Sequence, residues 1–141
     1  MNVKMQEAAN RNKLEWWATS RLIIHFGDAA PHGKEFHPWE NYDDRYPQGK
    51  GVNPLESIKV LRDRGVDYYI AKIPQKGKLE TETMIKKFRE VYTSVPNAGQ
   101  FHEIEGYQDA SSFVNITVSS VSKTVRRQQV LAQSVDKKER N

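Results

Sequence analysis

The sequence predicts an α/β protein in which a parallel β-sheet is covered by helices on both faces. The run 21–27 is apolar, of strand length and without alternation, as expected for a parallel strand that is covered on both sides. Strand-like and helix-like segments then alternate along the chain, which implies right-handed βαβ crossovers. The length of 141 residues and the 28% of charged residues are typical of one globular domain.

The first predicted strand is Arg21-Leu-Ile-Ile-His-Phe-Gly27, which we expect at the centre of the sheet because it is the most apolar segment of the chain. Residues 28–52 follow it and contain three Pro and three Gly, a composition that predicts a long ordered loop. Loops of this length in a small domain are often functional.

A helix over 54–64 is predicted by its end signals. Asn53 is a good N-cap, Pro54 suits the first helical position, and Glu56 can complete a capping box. Gly65 supplies the C-terminal stop. The segment 66–73 is rich in β-formers and ends at Pro74, so it predicts a second strand.

Three further elements are predicted after Pro74. From Glu82 onward the apolar residues recur at helical spacing, which predicts a helix that ends before Pro96. The short segment 100–105 is predicted as an exposed edge strand. Asp109 can cap a last helix whose β-branched content also permits a strand, although we favour the helix. The residues predicted to share its buried face are Phe113, Val114, Thr117, Val118, Val121 and Val125.

Composition excludes several classes of protein. The chain has no cysteine, so it can hold neither a disulfide, a thiolate zinc site nor a cysteine nucleophile. No apolar run approaches the ~20 residues of a membrane span, and residues 1–17 lack the apolar core of a signal peptide. We therefore expect a cytoplasmic or otherwise intracellular protein that does not span a membrane.

The net charge of +4 is confined to the end of the chain. Residues 123–141 carry six basic and two acidic side chains, whereas residues 1–122 are balanced with 16 of each sign. We therefore predict a folded domain over 1–125 and a basic, disordered tail over 126–141. Because the body of the protein is neutral, nucleic acid is not the expected partner.

Asp28 is the first candidate for a functional site, because ligands of open parallel sheets bind beyond the carboxyl ends of the strands. Alternatively, Asp28 only caps a turn. With His25, His32 and His37 it forms the pattern His-x2-Asp-x3-His-x4-His, which offers ligands for a transition metal. A hard divalent cation held through Asp28 and water is the alternative that we prefer, since His25 is expected to be buried in the strand.

The sequence also resembles a known family. The residues concerned are Leu14-Glu-Trp-Trp-Ala-Thr-Ser-Arg-Leu-Ile-Ile-His-Phe-Gly-Asp-Ala-Ala-Pro-His-Gly33, then His37, Tyr46-Pro-Gln-Gly49, Tyr68-Tyr-Ile70, Lys72-Ile73 and Met84-Ile-Lys-Lys-Phe88. Over roughly residues 5–125 they resemble the later half of a von Willebrand factor A-type domain, of the variety found in alpha-kinase-related intracellular proteins.

This resemblance implies a partial doubly wound, Rossmann-like sheet of three layers, with about three strands and flanking helices. Such domains have the strand order 3-2-1-4-5-6, and the segments 21–27, 66–73 and 100–105 correspond to strands four, five and six. The chain is then expected to begin inside the helix before strand four. Asp28 matches the last aspartate of the family's metal site, whereas the first metal motif, Asp-x-Ser-x-Ser, has no counterpart in these residues.

We therefore expect a non-enzymatic protein-interaction module with a vestigial or incomplete site for Mg²⁺ or another divalent cation, at Asp28 with His32. The residues predicted to contact a partner are Asp28, His32, Gly33, His37 and Trp39. A protein partner, or a second copy bound through the open edge of strand 21–27, is expected. One alternative is a fragment or regulatory part of an alpha-type serine/threonine protein kinase. A weaker one is a metal-dependent hydrolase using Asp28, His32 and His37.

Overall fold

The computed structural model describes residues 18–37, 44–74, 78–105 and 107–140. Strands and helices alternate along these residues. They are β1 (Leu22–Gly27), α1 (Pro54–Asp63), β2 (Asp67–Lys72), α2 (Lys78–Thr93), β3 (Phe101–Ile104) and α3 (Ala110–Glu139). The strands form one parallel sheet in the order β1-β2-β3. The predicted α/β, Rossmann-like fold class is therefore confirmed.

The strand at the centre of this sheet is β2 and not β1. Within the described residues β1 pairs on one side alone, with Leu22 opposite Asp67 and Gly27 opposite Lys72. Each residue of β1 is half-buried, whereas nearly all of β2 is buried. The expected central position of 21–27 is thus corrected to an edge position in the sheet that the structure describes.

The ends of α1 follow the predicted signals closely. The Asn53 side chain accepts a hydrogen bond of 2.9 Å from the amide of Leu55, and Pro54 occupies the first helical position. Gly65 adopts a φ of 69°, a conformation that favours glycine and turns the chain towards β2. The helix ends at Asp63, within one residue of the predicted end.

One face of the sheet forms the hydrophobic core with α1 and α2. Tyr68 and Ile70 point to this face from β2, and Phe36 reaches it from the loop after β1. The helices contribute Ile58, Leu61, Met84, Ile85, Phe88 and Tyr92, and Val66 joins the cluster just before β2. Tyr68 and Ile70 of the central strand thus belong to one cluster with side chains of both helices.

The other face is covered by α3, which is held mainly by polar contacts. The buried Asp67 carboxylate accepts a hydrogen bond of 2.8 Å from Thr124 Oγ1 and forms an ion pair with Arg127. Tyr69 Oη lies 2.9 Å from the same Thr124 hydroxyl, and Gln128 accepts from the amide of Arg21 at 3.2 Å. This end of β2 is thus tied to the middle of α3.

The buried face of α3 differs from the predicted one. The residues that α3 buries are Ile116, Ser120, Thr124 and Gln128, whereas Val114, Val118 and Val121 are exposed. The cause is Asp67, because its buried carboxylate needs hydrogen-bond donors and draws the polar side of the helix onto the sheet.

The helix α3 also continues through Glu139, within the segment 126–141 that is predicted as a basic tail. Arg127 and Gln128 anchor this part to the sheet, and the following residues are rich in strong helix formers. The boundary at 125 stays a prediction. Along the described chain, no helix combines the length and the apolar character that crossing a bilayer requires.

Candidate functional site

The carboxyl end of β1 leads directly into Asp28. The main-chain carbonyl of Asp28 accepts a hydrogen bond of 3.0 Å from Thr81, a buried residue in the first turn of α2. This contact accompanies an earlier start of α2, at Lys78 instead of the expected Glu82. The Asp28 carboxylate itself makes no hydrogen bond or ion pair within the part of the chain that the structure describes. Its main chain is therefore held by α2, and among the described residues its charge has no structural partner.

His25 lies in the strand just before this site and is a structural residue. Its Nδ1 is 2.8 Å from the hydroxyl of Tyr68, and burial lowers the pKa of His25 to about 4. A Cβ on Gly27 would lie 2.5 Å from the His25 ring, so the glycine makes room for the histidine. His25 is half-buried and hydrogen-bonded, whereas the sequence predicts a fully buried residue.

The loop that follows is organised by Asp44. One carboxylate oxygen of Asp44 lies 2.7 Å from His32 Nδ1 and accepts from the amide of Tyr46 at 2.9 Å. The other oxygen accepts from the amide of Gly33 at 2.7 Å. Although burial alone raises the pKa of Asp44, these hydrogen bonds outweigh it and lower the pKa to about 2. The ionised carboxylate thus connects the loop at His32 and Gly33 with the loop at Tyr46.

A second pair of residues fixes the loop from inside. Phe36 is fully buried in the core, with its ring 6.3 Å from that of Phe88 in an edge-to-face arrangement. His37 is buried beside it, and its Nε2 lies 3.0 Å from the carbonyl oxygen of Pro31. The loop therefore has a buried inner side, at Phe36 and His37, and an outer side that carries His32.

An open depression of about 660 Å³ lies at this end of β1. Asp28 and His32 line it together with Lys50 and Gly51 from the far part of the loop. The Lys50 ammonium lies 4.6 Å from the centre of the Tyr46 ring, and His32 packs edge-on against the same ring. The depression thus has an acidic group, an imidazole and a lysine along its rim.

The structure brings together part of the predicted site. Asp28 and His32 line one depression, and the His32 side chain is 49% exposed. Gly33 and His37 are buried and shape the loop from within. Trp39 lies outside the described residues. Of the predicted set within the described residues, Asp28 and His32 are therefore the two that line the depression.

The predicted metal ligands do not form a cluster. Among the described residues there is no group of three or more His, Asp or Glu side chains that could hold a metal ion. His32 and His37 are each engaged within the loop, by Asp44 and by Pro31. Asp28 remains a single carboxylate, of the ligand type that Mg²⁺ prefers. The prediction of a divalent cation stays a prediction.

Sequence reasoning did not identify Asp44, which sets the shape of the loop. A signal for it exists, because Asp44 stands two residues before Tyr46 and accepts its amide, as in an Asx-turn. The contact with His32 spans 12 residues of irregular chain, and no periodic pattern reports such a contact.

Comparison with known proteins finds one informative similarity. No protein-family model matches the chain, and no solved structure matches it significantly. The chain is 30% identical over 132 aligned residues to the alpha-protein kinase vwkA of Dictyostelium discoideum. The match covers 87% of this chain and 20% of that relative, so this chain spans about one fifth of the relative's length.

Proposed function

We propose that this chain is a non-enzymatic protein-interaction module that recognises a protein partner at the carboxyl end of β1. The observation that carries this proposal is the Asp28 carboxylate, which is held in place through its carbonyl but has no hydrogen-bond or ion-pair partner in the described residues. Removing a charged group from water needs a compensating partner. A carboxylate presented in this way is suited to pair with a basic group of another protein.

The surroundings of Asp28 fit a contact surface. Ala29 is exposed and small, so it leaves the carboxylate accessible, and His32 is held at a fixed angle by Asp44. The His32 ring is therefore held before a partner binds, so it loses little conformational entropy on binding.

The fold supports a relation to the later half of a von Willebrand A-type domain. Three consecutive parallel strands in the order β1-β2-β3 are what strands four to six of such a domain form. In this proposal Asp28 corresponds to the last metal-site aspartate and supplies one ligand of an incomplete site for Mg²⁺ or another divalent cation. The contact of His32 Nδ1 with Asp44 leaves Nε2 as the ring nitrogen that this histidine could offer to a cation.

Site-specific photocrosslinking tests this surface. A photoreactive residue at exposed Ala29 is expected to crosslink a protein partner in cells, and the same residue at exposed Glu90 on α2 serves as the control position. Asp28→Ala combined with His32→Ala is expected to abolish the crosslink, while exposed Asp63→Ala on α1 leaves it unchanged. An equal yield of crosslinked partner for all of these variants would contradict the proposal.

The similarity to an alpha-protein kinase favours a second candidate, in which the module is a regulatory part of an alpha-type serine/threonine kinase. In that case phosphoryl transfer is carried out by residues outside this sequence. The phosphate-binding parts of a kinase have no recognisable counterpart in it. Incubation of the purified chain with labelled ATP and a generic protein substrate is expected to give no transfer. Transfer that survives the removal of contaminating kinases would contradict the proposed role.

A metal-dependent hydrolase is not supported by the geometry. Its candidate residues are Asp28, His32 and His37, but His37 is buried and does not line the depression that the other two line. An activated water needs its ligands to converge on one point.

A further inference from the structure

The two halves of α3 are attached to the sheet by different kinds of contact. In the first half, the centre of the Phe113 ring lies 4.6 Å from that of Phe26, and Ile116 is buried. Beyond Ile116, the side chains that α3 buries are polar, and they are Ser120, Thr124 and Gln128. The second half is therefore held to the sheet by hydrogen bonds and an ion pair, whose strength depends on the charges around them.

His102 of β3 lies against this second half. Its ring stacks on that of Tyr69, with 4.4 Å between the ring centres and 23° between the ring planes. Its Nδ1 is 3.3 Å from the ammonium group of Lys123 on α3. An ammonium group donates hydrogen bonds and accepts none, so Nδ1 must be the acceptor. The His102 ring is therefore neutral in this arrangement and carries its proton on Nε2.

The charged groups that face His102 leave no free carboxylate for a second proton on the ring. They are Lys123 and Arg127 on α3 and Asp67 on β2. Both oxygens of Asp67 already accept, from Arg127, from a hydroxyl of α3 and from the amide of Gln100 at 2.9 Å. His102 Nε2 is buried and has no acceptor among the described residues. A protonated His102 would therefore meet two cations and no unoccupied acceptor.

These surroundings make the docking of α3 depend on pH. Burial and the nearby Lys123 lower the pKa of His102 from 6.5. Glu103, the next residue of β3, does not offset this effect because its side chain pairs with Arg89 and Lys72. Protonation is thus easier when α3 has moved away than when it is docked. By linkage, docking is fully favourable above pH 6.5 and weakens as the pH falls below that value.

We propose that His102 is an acid-sensitive latch for the second half of α3. With a neutral ring it accepts a hydrogen bond from Lys123 and leaves the Asp67 carboxylate to bind α3. With a protonated ring it repels Lys123 and Arg127, so the helix separates from the sheet beyond Ile116. The apolar contacts of the first half carry no titratable group and remain in place. This latch is separate from the candidate site at the end of β1 and does not depend on the proposed function.

Hydrogen exchange measured over a range of pH tests the latch on the whole chain. The rate of each amide is divided by its intrinsic rate at the same pH, which gives the equilibrium constant for opening at that amide. For the α3 amides of residues 120–131, this constant is expected to rise on the order of tenfold between about pH 7 and about pH 5, because opening takes up a proton. In His102→Gln the same constant is expected to change less than about twofold.

His25→Gln is the matched control, because it makes the same substitution on the other face of the sheet. His25 contacts Tyr68 in the hydrophobic core and does not touch the polar network of α3. This variant is therefore expected to leave the acid response of the α3 amides unchanged. Circular dichroism at neutral pH shows whether each variant is folded.

Lys123→Gln tests the electrostatic cause while it keeps His102. Removing one of the two cations brings the pKa of His102 in the docked state closer to 6.5, so opening takes up less of a proton. The rise in opening on acidification is therefore expected to be smaller than in the wild type. A rise as large as that of the wild type would contradict the assigned role of Lys123.

An acid response of α3 that is equal in the wild type and in His102→Gln overturns the inference. A response that disappears in His25→Gln also overturns it, because α3 would then open only when the whole domain unfolds. These outcomes are read on the isolated chain, whereas the Asp28 proposal is read on capture of another protein. Either can therefore fail without the other.

Discussion

The two faces of the sheet are stabilised in opposite ways. Towards α1 and α2, Tyr68 and Ile70 of β2 meet apolar and aromatic side chains, and this face holds most of the buried hydrophobic residues. Towards α3, Asp67 and Tyr69 of the same strand meet Thr124 and Arg127. Successive residues of one strand thus build a hydrophobic face and a polar one.

The difference shows which interaction determines the position of each helix. Apolar packing is non-directional and tolerates small displacements, so it stabilises α1 and α2 without specifying a single contact. A buried carboxylate needs donors at fixed distances, so Asp67 selects both the face and the register of α3. The polar face therefore specifies orientation, and its consequence is that the valines of α3 point outward.

The largest expected effect is on the hydrophobic face. Phe88→Ala removes a fully buried ring that contacts both Tyr68 and Phe36. It is expected to lower the free energy of unfolding by about 4 kcal/mol, measured by urea denaturation. Leu79→Ala, at a residue of α2 that is 59% exposed, is the control and should cost less than about 1 kcal/mol. Equal losses for the two variants would contradict the assignment of this face as the core.

On the polar face, substitution of Asp67 alone should lower the free energy of unfolding by nearly as much. Asp67→Asn removes the charge that pairs with Arg127 and is expected to cost about 3 kcal/mol, because it leaves a largely buried cation without its partner. Hydrogen exchange should show that the backbone amides of α3 lose protection while those of α1 remain protected. Asp63→Asn, on the exposed side of α1, is the matched control. If the α3 amides remain protected in Asp67→Asn, the polar contacts do not hold the helix.

A smaller effect is the pH dependence of stability that His25 causes on the hydrophobic face. Burial lowers the pKa of His25 from 6.5 to about 4, so the folded protein takes up this proton at lower pH than the unfolded chain. Stability is therefore full above pH 6.5 and is lost as the pH falls towards 4. Between about pH 7 and about pH 5 the expected loss is about 2 kcal/mol.

His25→Gln tests this assignment, because it removes the titrating group from the hydrophobic face. The dependence of the free energy of unfolding on pH should become flatter than in the wild type. Burial and the nearby Lys123 also lower the pKa of His102, on the polar face, so His102→Gln is the comparison that measures its share. A pH dependence unchanged in His25→Gln would show that His25 is already protonated, or already accessible, in the fold.

The elements of the fold follow from local signals and could largely be predicted. Asn53, Pro54 and Gly65 define the ends of α1 through their own backbone and side-chain preferences, so adjacent residues suffice to predict it. The apolar run 21–27 likewise predicts a strand. Its position at the edge could not be predicted, because that depends on which other strands are present and not on the strand's own composition.

The orientation of α3 was predicted wrongly for a physical reason. The period of its valines indicates an apolar face, and burial of that face is the default expectation. Asp67 lies 57 residues before Thr124 and 60 before Arg127, so the contacts that override the pattern leave no trace in the local sequence. Similarly, Asp28 was identified from its place after a strand, whereas Asp44 acts across a loop and was missed.

The length of α3 separates the two ends of the molecule. Phe113, near its start, contacts Phe26 at the carboxyl end of β1, and Gln128 contacts Arg21 at the other end. At about 1.5 Å per residue, the 30 residues of the helix span about 45 Å, so its last turns project beyond the sheet on the side away from Asp28. A fluorophore attached near Glu139 can therefore report on binding at the Asp28 end by rotational anisotropy without occupying the surface it measures.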